Sequence, residues 1–311
     1  MSVRILSTSP LVGPALAELG LRCPDLLVAP YRSPAWNAAL SETEALIVML
    51  SEPLTEPDLD VAPNLKAIGT YSVGVNHLPV KACQARGIAV VNTPGVLTEA
   101  TADIALVLLL ALTRRVAEGE TLVRSGAWQG WAPDQLLGPG LAGKVCGILG
   151  SGPIGQAFAR RVWALGMTPI FWDRAGTGGE VDFGAGRASR LALADLLPRS
   201  AVLSLHCPLT EQTKGMLNRA ALEQLPAGAV IINTARGGLL DEDATIDQLE
   251  SGRLGGVGLD VYDGEPRVNP RWLRAPRTVL LPHLGSATVE TRAAMAYLLC
   301  DGLASALSPS R

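Results

Sequence analysis

The stretch that decides the fold is KVCGILGSGPIGQAFARRVWALGMTPIFWD, residues 144–173. It opens with an apolar run that ends at Leu149, passes through a glycine-rich turn, and then shows helical spacing before a second apolar run. A strand, a Gly-x-Gly-x-x-Gly turn and a helix in this order form the dinucleotide-binding fingerprint. The sequence therefore predicts that this segment binds the pyrophosphate of a dinucleotide.

Each glycine of the turn has its own predicted role. Gly150 permits the tight turn, Gly152 lets the backbone approach the pyrophosphate, and Gly155 lets the helix pack closely on the strand. Pro153 suits the first helical turn, where a missing N–H is tolerated, and the remaining amides stay free for phosphate. About 18 residues after the last glycine, Asp173 ends the next strand, where an acid can bind the ribose 2′-hydroxyl.

Asp173 and its neighbour Arg174 give opposing indications about the cofactor. The carboxylate favours NAD because it would repel a 2′-phosphate, whereas an arginine can accommodate that phosphate. The sequence predicts NAD and leaves NADP open.

Elsewhere, short apolar runs alternate with segments of helical spacing. The predicted strands are 3–7, 45–50, 65–69, 88–92, 144–149, 167–172, 201–205, 229–233, 256–260 and 278–281. A long helix is predicted from Thr98, as N-cap, to about Glu118, an irregular linker over 125–140, and a last helix over 288–307. This alternation is typical of an α/β fold with doubly wound parallel sheets.

Length and composition narrow the class of protein. A chain of 311 residues has room for two domains, and 48% hydrophobic with 18% charged residues indicates a compact globular protein. A net charge of -3 gives no footprint for nucleic acid, and the longest apolar run, 104–112, is about half of the ~20 residues that a membrane span needs. No signal peptide is evident at the N-terminus.

The cysteines point to the compartment. Five of them, Cys23, Cys83, Cys146, Cys207 and Cys300, are scattered along the chain and fit neither a zinc site nor a disulfide framework. We therefore expect a cytoplasmic protein without a bound metal.

Three segments that follow predicted strands carry the residue types that hydride transfer to a keto acid needs: 233–238, 259–266 and 281–286. Arg236 offers a planar fork for a carboxylate, although a structural ion pair is its alternative role. Histidine is more often a packing residue than a catalyst, but a nearby Glu265 would favour the imidazolium of His283 and make it a proton donor near neutral pH. All three should lie at the carboxyl edge of the sheet.

These segments and the glycine turn resemble the D-isomer-specific 2-hydroxyacid dehydrogenases over nearly the whole chain. Further landmarks are 98–103 (TEATAD), 141–144 (LAGK), 208–210 (PLT) with Thr213, and 282–288 (PHLGSAT). The resemblance implies two Rossmann-like domains with a cleft between them: a substrate domain of residues 1–98 plus 286–311, and a dinucleotide-binding domain of residues 99–285.

The resemblance also implies site residues. Arg236, Glu265 and His283 would be catalytic, and Asp260 would contact the nicotinamide carboxamide. The other implied cofactor-binding residues are Thr101, Ile154, Cys207, Pro208, Thr213, Thr234, Ala235 and Gly285, beside Gly150, Gly152, Pro153, Gly155, Asp173 and Arg174. Arg236 and His283 would contact both cofactor and substrate.

Within the family, 71–77 (YSVGVNH) and 126–133 (GAWQGWAP) look most like the glyoxylate/hydroxypyruvate reductases. This implies that the amides of Val73 and Gly74 take the substrate carboxylate and that Ser286 lines the pocket. Trp131 would reach the active site of a partner subunit or serve only as an interface anchor. Asn76 stands where many relatives have Asp, which puts one loop hydrogen bond in doubt.

A two-fold homodimer is expected, because the apolar helix around 104–112 and the Trp128/Trp131 loop need burial. The function predicted from the sequence is NAD-dependent reduction of a small 2-keto acid to a D-2-hydroxy acid, with glyoxylate or hydroxypyruvate as substrate. The alternatives are D-3-phosphoglycerate dehydrogenase and a non-enzymatic NAD-sensing corepressor of the same fold. A formate dehydrogenase is disfavoured because that group carries Gln where Glu265 stands.

Overall fold

The computed structural model describes residues 4–23, 25–174 and 176–308. The chain divides into two compact units, one made of the residues up to Leu97 together with those from Ser286 onward, the other of Thr98–Gly285. Each unit contains a parallel β-sheet with helices. The α/β fold class predicted from the sequence is confirmed.

The strands are β1 (Ile5–Ser7), β2 (Leu26–Val28), β3 (Ala45–Val48), β4 (Ala67–Thr70), β5 (Ala89–Val91), β6 (Val145–Leu149), β7 (Thr168–Trp172), β8 (Glu180–Asp182), β9 (Arg187–Ser189), β10 (Val202–Leu205), β11 (Ala229–Asn233), β12 (Leu254–Leu259) and β13 (Thr278–Leu280). The α-helices are α1 (Ala15–Arg22), α2 (Pro34–Leu40), α3 (Glu56–Asp60), α4 (Val80–Ala85), α5 (Thr98–Thr113), α6 (Val116–Arg124), α7 (Pro153–Ala164), α8 (Leu193–Leu196), α9 (Arg219–Glu223), α10 (Glu242–Glu250) and α11 (Val289–Leu307).

The first unit has a five-stranded parallel sheet in the order β2-β1-β3-β4-β5. Every residue of β3 and β4 is buried, because strands of a parallel sheet are covered on both faces. Helix α11 packs on β4 and β5. A Cβ added at Gly69 would lie 2.6 Å from the Leu299 side chain, and one at Gly302 would lie 2.5 Å from Val91, so these glycines permit the close approach of helix and sheet.

The second unit has a six-stranded parallel sheet in the order β13-β12-β11-β10-β6-β7. Alternate residues of β11 enter opposite hydrophobic clusters, Ile231 on one face and Val230 and Ile232 on the other. The strand order reverses between β6 and β10. In sheets of this kind ligands bind at the carboxyl ends of the strands near such a reversal, which is where the glycine turn begins.

Two parts of the predicted secondary structure are wrong. The long helix ends at Thr113, not near Glu118, because Arg115 adopts a left-handed conformation (φ 52°) that interrupts helical hydrogen bonding before α6 begins. Thr98 is the first helical residue of α5 and not its N-cap. In the described part of the chain, no helix is long and apolar enough to cross a membrane.

Candidate active site

Three neighbouring strands of the second unit present the predicted catalytic residues. Strands β11, β12 and β13 are adjacent and parallel, so their carboxyl ends lie at one edge of the sheet. Arg236 follows β11, Glu265 lies in the segment after β12, and His283 lies in the loop after β13. The topology therefore brings three segments that are distant in sequence to one place.

The imidazole of His283 contacts a carboxylate. Its Nδ1 lies 2.8 Å from Glu265 Oε2, while Glu265 Oε1 accepts a hydrogen bond of 2.8 Å from the Tyr262 amide. Burial alone would raise the pKa of Glu265, but the hydrogen bond and charge of His283, with the Tyr262 amide and Arg236, hold it below its ordinary value of 4.5. The carboxylate is therefore ionised at neutral pH and orients the ring, which leaves Nε2 for a reactant.

The His283 loop is held by buried Asp260. The two carboxylate oxygens of Asp260 accept hydrogen bonds from the amides of Leu284 at 2.6 Å and Gly285 at 2.7 Å. Thr101 Oγ1 donates to the carbonyl of Gly285 at 3.0 Å. These contacts fix a loop in which His283 itself has a positive φ of 56°, a conformation that a non-glycine residue keeps only when its surroundings impose it.

Asp260 was predicted to contact the nicotinamide carboxamide, and its observed contacts are with backbone amides. Burial raises the pKa of Asp260, and the two amide hydrogen bonds oppose that rise. Tyr262 supports the same region, since its hydroxyl donates to the carbonyl of Leu281 at 2.9 Å. Tyr262 stands between Asp260 and Glu265, but no sequence motif marks it as a site residue.

Arg236 is partly buried, with few partners. Its Nη1 donates to the carbonyl of Ala235 at 2.6 Å, and no carboxylate of the described residues lies within ion-pair distance of it. Burial lowers the pKa of Arg236, while the negative charge of Glu265 opposes this effect. Buried Asn233 shapes the turn by donating to the Arg236 carbonyl at 2.8 Å. The result is a guanidinium with unused donors beside the Glu265–His283 pair.

Gly237 explains why glycine follows Arg236. A Cβ at Gly237 would lie 2.0 Å from the carbonyl carbon of Tyr262, so only glycine lets the β11 turn approach the segment that carries Glu265. The adjacent Gly238 is less constrained, because its Cβ would meet the flexible side chain of Leu209 at 3.2 Å.

The glycine turn has the shape of a phosphate cradle. Gly150 has a φ of 113°, and a Cβ there would lie 2.6 Å from the His206 carbonyl oxygen. A Cβ at Gly155 would lie 2.0 Å from the Gly150 carbonyl oxygen, whereas one at Gly152 would meet nothing within 4 Å. Gly150 and Gly155 are thus required by the protein's own backbone, and Gly152 faces open space at the start of α7, where a pyrophosphate fits.

Other predicted cofactor residues lie at neighbouring strand ends. Cys207 and Pro208 follow β10, and Thr213 Oγ1 donates to the Pro208 carbonyl at 2.7 Å. Thr234 follows β11, and its buried Oγ1 has no hydrogen-bond partner among the described residues. A buried hydroxyl without a hydrogen-bond partner suits a polar ligand. This observation adds to the open space at Gly152.

Asp173 stands at the end of β7, as predicted for a ribose ligand. Its Oδ2 accepts hydrogen bonds from the Ser151 hydroxyl and, at 3.0 Å, from Arg190 Nε. Arg174 is exposed. Nothing in the sequence pattern indicates a role for Arg190, because a residue after β9 carries no sign that it meets the end of β7.

The predicted substrate loop belongs to the first unit and follows β4. Ser72 Oγ donates to the Gly74 carbonyl at 2.7 Å, Asn92 Nδ2 donates to the Val73 carbonyl at 2.8 Å, and Thr70 Oγ1 lies 2.8 Å from His77 Nε2. The first two contacts hold the loop through its carbonyls, and the third joins two side chains. No described backbone carbonyl accepts a hydrogen bond from the amides of Val73 or Gly74.

Two other predicted substrate residues are Ser286 and Trp131. Ser286 belongs to the first unit, and its carbonyl accepts a hydrogen bond from Arg292 Nε at 3.2 Å. Trp131 lies in the irregular segment before β6 with 82% of its surface exposed.

Known proteins resemble this chain closely. Residues 106–285 match the family described as D-isomer specific 2-hydroxyacid dehydrogenase, NAD binding domain. The glycerate dehydrogenase of Hyphomicrobium methylovorum is 42% identical over 261 residues, 83% of this chain and 80% of that protein. The glyoxylate reductase of Thermococcus litoralis is 42% identical over 267 residues, with coverage of 84% and 80%.

Similarity extends to solved structures. That of an NADPH-dependent glyoxylate/hydroxypyruvate reductase from Sinorhizobium meliloti, in complex with NADP and malonate, superimposes with a TM-score of 0.86 at 33% identity and covers 99% of this chain and 95% of that one.

The parallel sheet with its glycine turn and the histidine–carboxylate pair define a nicotinamide-dependent oxidoreductase. The chain belongs to the D-isomer specific 2-hydroxyacid dehydrogenase family. It is an NAD-dependent dehydrogenase that transfers a hydride between the cofactor and a small 2-keto or D-2-hydroxy acid. The family and the enzyme class predicted from the sequence are confirmed.

Proposed function

We propose that this enzyme reduces glyoxylate and hydroxypyruvate, with Arg236, Glu265 and His283 as its catalytic residues. The observation that carries the proposal is the Arg236 guanidinium, partly buried beside the Glu265–His283 pair and without a described carboxylate partner. Shielding a cation from water is costly unless an anion compensates it. The carboxylate of a small keto acid supplies that anion, and relatives of this chain are named for glyoxylate and for glycerate.

The residues have separate tasks in reduction. Arg236 binds the substrate carboxylate and polarises the adjacent carbonyl through its planar fork. The Gly150–Gly155 turn and Asp173 would hold NADH, which would supply the hydride when bound. As negative charge develops on the carbonyl oxygen, His283 donates a proton from Nε2, while Glu265 at Nδ1 stabilises the imidazolium before transfer. Asp260 contributes by holding the His283 loop in place.

The loop after β4 in the first unit is a second candidate for anion binding. In this proposal the amides of Val73 and Gly74 bind a carboxylate, which is supported by the absence of a described carbonyl acceptor for either. Because Thr70, Ser72 and Asn92 engage this loop without using those amides, the loop is preorganised for an anion.

A panel of keto acids tests the proposed activity. Glyoxylate, hydroxypyruvate and pyruvate are assayed with NADH and with NADPH, and kcat/KM is compared. We expect the first two acids to be the best substrates and NADH the better cofactor, since the Asp173 carboxylate repels a 2′-phosphate. Asp173→Ala should narrow the difference between the cofactors. Tight NADH binding without turnover of any acid would reject the enzymatic proposal in favour of a binding protein.

We further infer a homodimer, and Trp131 supports it. An indole with 82% of its surface exposed on a loop beside half-exposed Trp128 is typical of an interface. The apolar face of α5 adds less support than its sequence suggested, because Leu108 and Leu109 are already buried within the second unit.

Light scattering at micromolar concentration should give twice the mass of one chain. Trp131→Ala should then raise the KM for the keto acid in an intact dimer if the indole enters the partner's site. A monomeric wild type would reject the dimer, and an unchanged KM would leave Trp131 as an interface anchor.

A further inference from the structure

A basic residue that the proposed function does not use lies against Asp173. Arg190 Nε lies 3.0 Å from Asp173 Oδ2, and the side chains are only 24% and 15% exposed, respectively. The Ser151 hydroxyl donates to the same oxygen. An ion pair this sheltered is screened little by salt. The carboxylate proposed to bind the ribose is therefore partly neutralised by the protein itself.

The backbone of Arg190 is fixed on two sides. It forms an isolated parallel bridge with Phe171 of β7, and Leu191 N donates to the Phe171 carbonyl at 2.8 Å. On the other side, Arg190 N donates to the Gly179 carbonyl at 3.1 Å, and the Arg190 carbonyl accepts from Gly178 N at 3.2 Å. The guanidinium is therefore projected from a defined point next to the end of β7.

Most donors of this guanidinium are unused. An arginine has five N–H donors, and only Nε is engaged with Asp173. Among the described residues, none accepts a hydrogen bond from Nη1 or Nη2 of Arg190. Two terminal amino groups in a planar fork match the oxygens of a phosphate. Exposed Arg174, next to Asp173, adds a second positive charge at the same strand end.

We propose that Arg190 determines how far the enzyme accepts NADPH: it offsets the charge of Asp173 and presents its terminal N–H groups to a 2′-phosphate. A 2′-hydroxyl is bound by Asp173, and a 2′-phosphate is bound by Arg190 together with Arg174. The preference for NADH over NADPH is then smaller than it would be if the Asp173 carboxylate had no ion pair with Arg190. This inference rests on the proposed role of Asp173 at the ribose.

The test compares two ligands that lack nicotinamide, so it does not depend on catalysis. Adenosine 2′,5′-bisphosphate and 5′-AMP are titrated calorimetrically into the wild type and into Arg190→Gln. Loss of a charged hydrogen bond should weaken the bisphosphate roughly tenfold and leave 5′-AMP within about twofold. The kcat/KM for NADPH relative to NADH should fall by a similar factor.

Two further variants make the result specific. Strands β8 and β9 pair antiparallel as a hairpin, and Arg190 directly follows β9. Arg187→Gln removes an exposed arginine of β9, paired with Glu180 at 3.7 Å, and should leave both affinities unchanged. Arg190→Lys keeps the charge without the fork, so it should weaken only the bisphosphate, by several-fold. If Arg190→Gln fails to fold, the selective loss of bisphosphate affinity in Arg190→Lys tests the inference instead.

An equal loss for the two ligands, or a larger loss for 5′-AMP, would overturn the inference and make Arg190 a structural support of Asp173. If the wild type binds neither ligand, the glycine turn is not a nucleotide site and the proposed function fails with it.

Discussion

Replacing His283 with alanine should lower kcat for keto-acid reduction by a factor on the order of 10² to 10⁴, the usual contribution of a positioned general acid. Glu265 holds the imidazole at Nδ1, and Asp260 holds the two backbone amides that follow His283, so Nε2 is the proposed proton donor. Without the ring, the carbonyl oxygen has no proton donor beside it as its negative charge develops, although Arg236 still polarises the carbonyl.

The measurement separates chemistry from binding. Single-turnover kinetics give the chemical step, and the change in NADH fluorescence gives the dissociation constant of the cofactor. NADH affinity should remain close to that of the wild type, because the glycine turn and Asp173 lie on other segments. Near-normal kcat in His283→Ala would assign the proton to another group and contradict the proposed mechanism.

The pH profile of Glu265→Gln gives a companion result. A neutral amide no longer balances the positive charge of the imidazolium, so kcat for keto-acid reduction should fall across the profile. In the wild type, the pKa of Glu265 is held below its ordinary value of 4.5, so its carboxylate is charged at neutral pH. Glu265 should therefore cause no acid limb near neutral pH. Glu250→Gln, a change at the surface, is the matched control.

The second large effect is expected at Arg236. Arg236→Lys keeps a positive charge but loses the planar fork, so both carboxylate binding and polarisation of the carbonyl should suffer. Loss of a hydrogen bond to a charged group predicts a fall in kcat/KM of roughly 10- to 100-fold, with a raised KM as well as a lowered kcat.

Arg219→Lys is the matched control for Arg236, because Arg219 pairs with Asp247 at the surface and should tolerate the change. Oxamate, an inert analogue of a keto acid, should bind more weakly to Arg236→Lys in the presence of NADH. Unchanged KM and oxamate affinity would show that Arg236 serves the structure and not the substrate.

Strongly patterned elements were predictable from the sequence. The Gly150-to-Gly155 turn carries its own context of strand and helix, and the buried strands of a parallel sheet appear as short apolar runs. Elements with weak patterns were missed. Strand β2 lies at a sheet edge with much of its surface exposed, and the hairpin of β8 and β9 has three-residue strands.

The break between α5 and α6 could not be predicted from the sequence either. The apolar spacing continues through this region, so periodicity predicts one helix, and only the backbone conformation of Arg115 divides it. A non-glycine residue gives no local signal that it will adopt a positive φ, since the surrounding structure imposes that conformation.

By itself, the sequence determined the α/β class, the dinucleotide turn and the residue types available at the strand ends, because these depend on local periodicity and on short-range motifs. Only the tertiary structure decided which side chains meet. The order β13-β12-β11 puts His283 against Glu265, and the bridge between Phe171 and Arg190 brings an arginine to Asp173. Such contacts depend on the pairing of strands distant in sequence, and hydrophobic patterns specify the burial of a strand but not its neighbours.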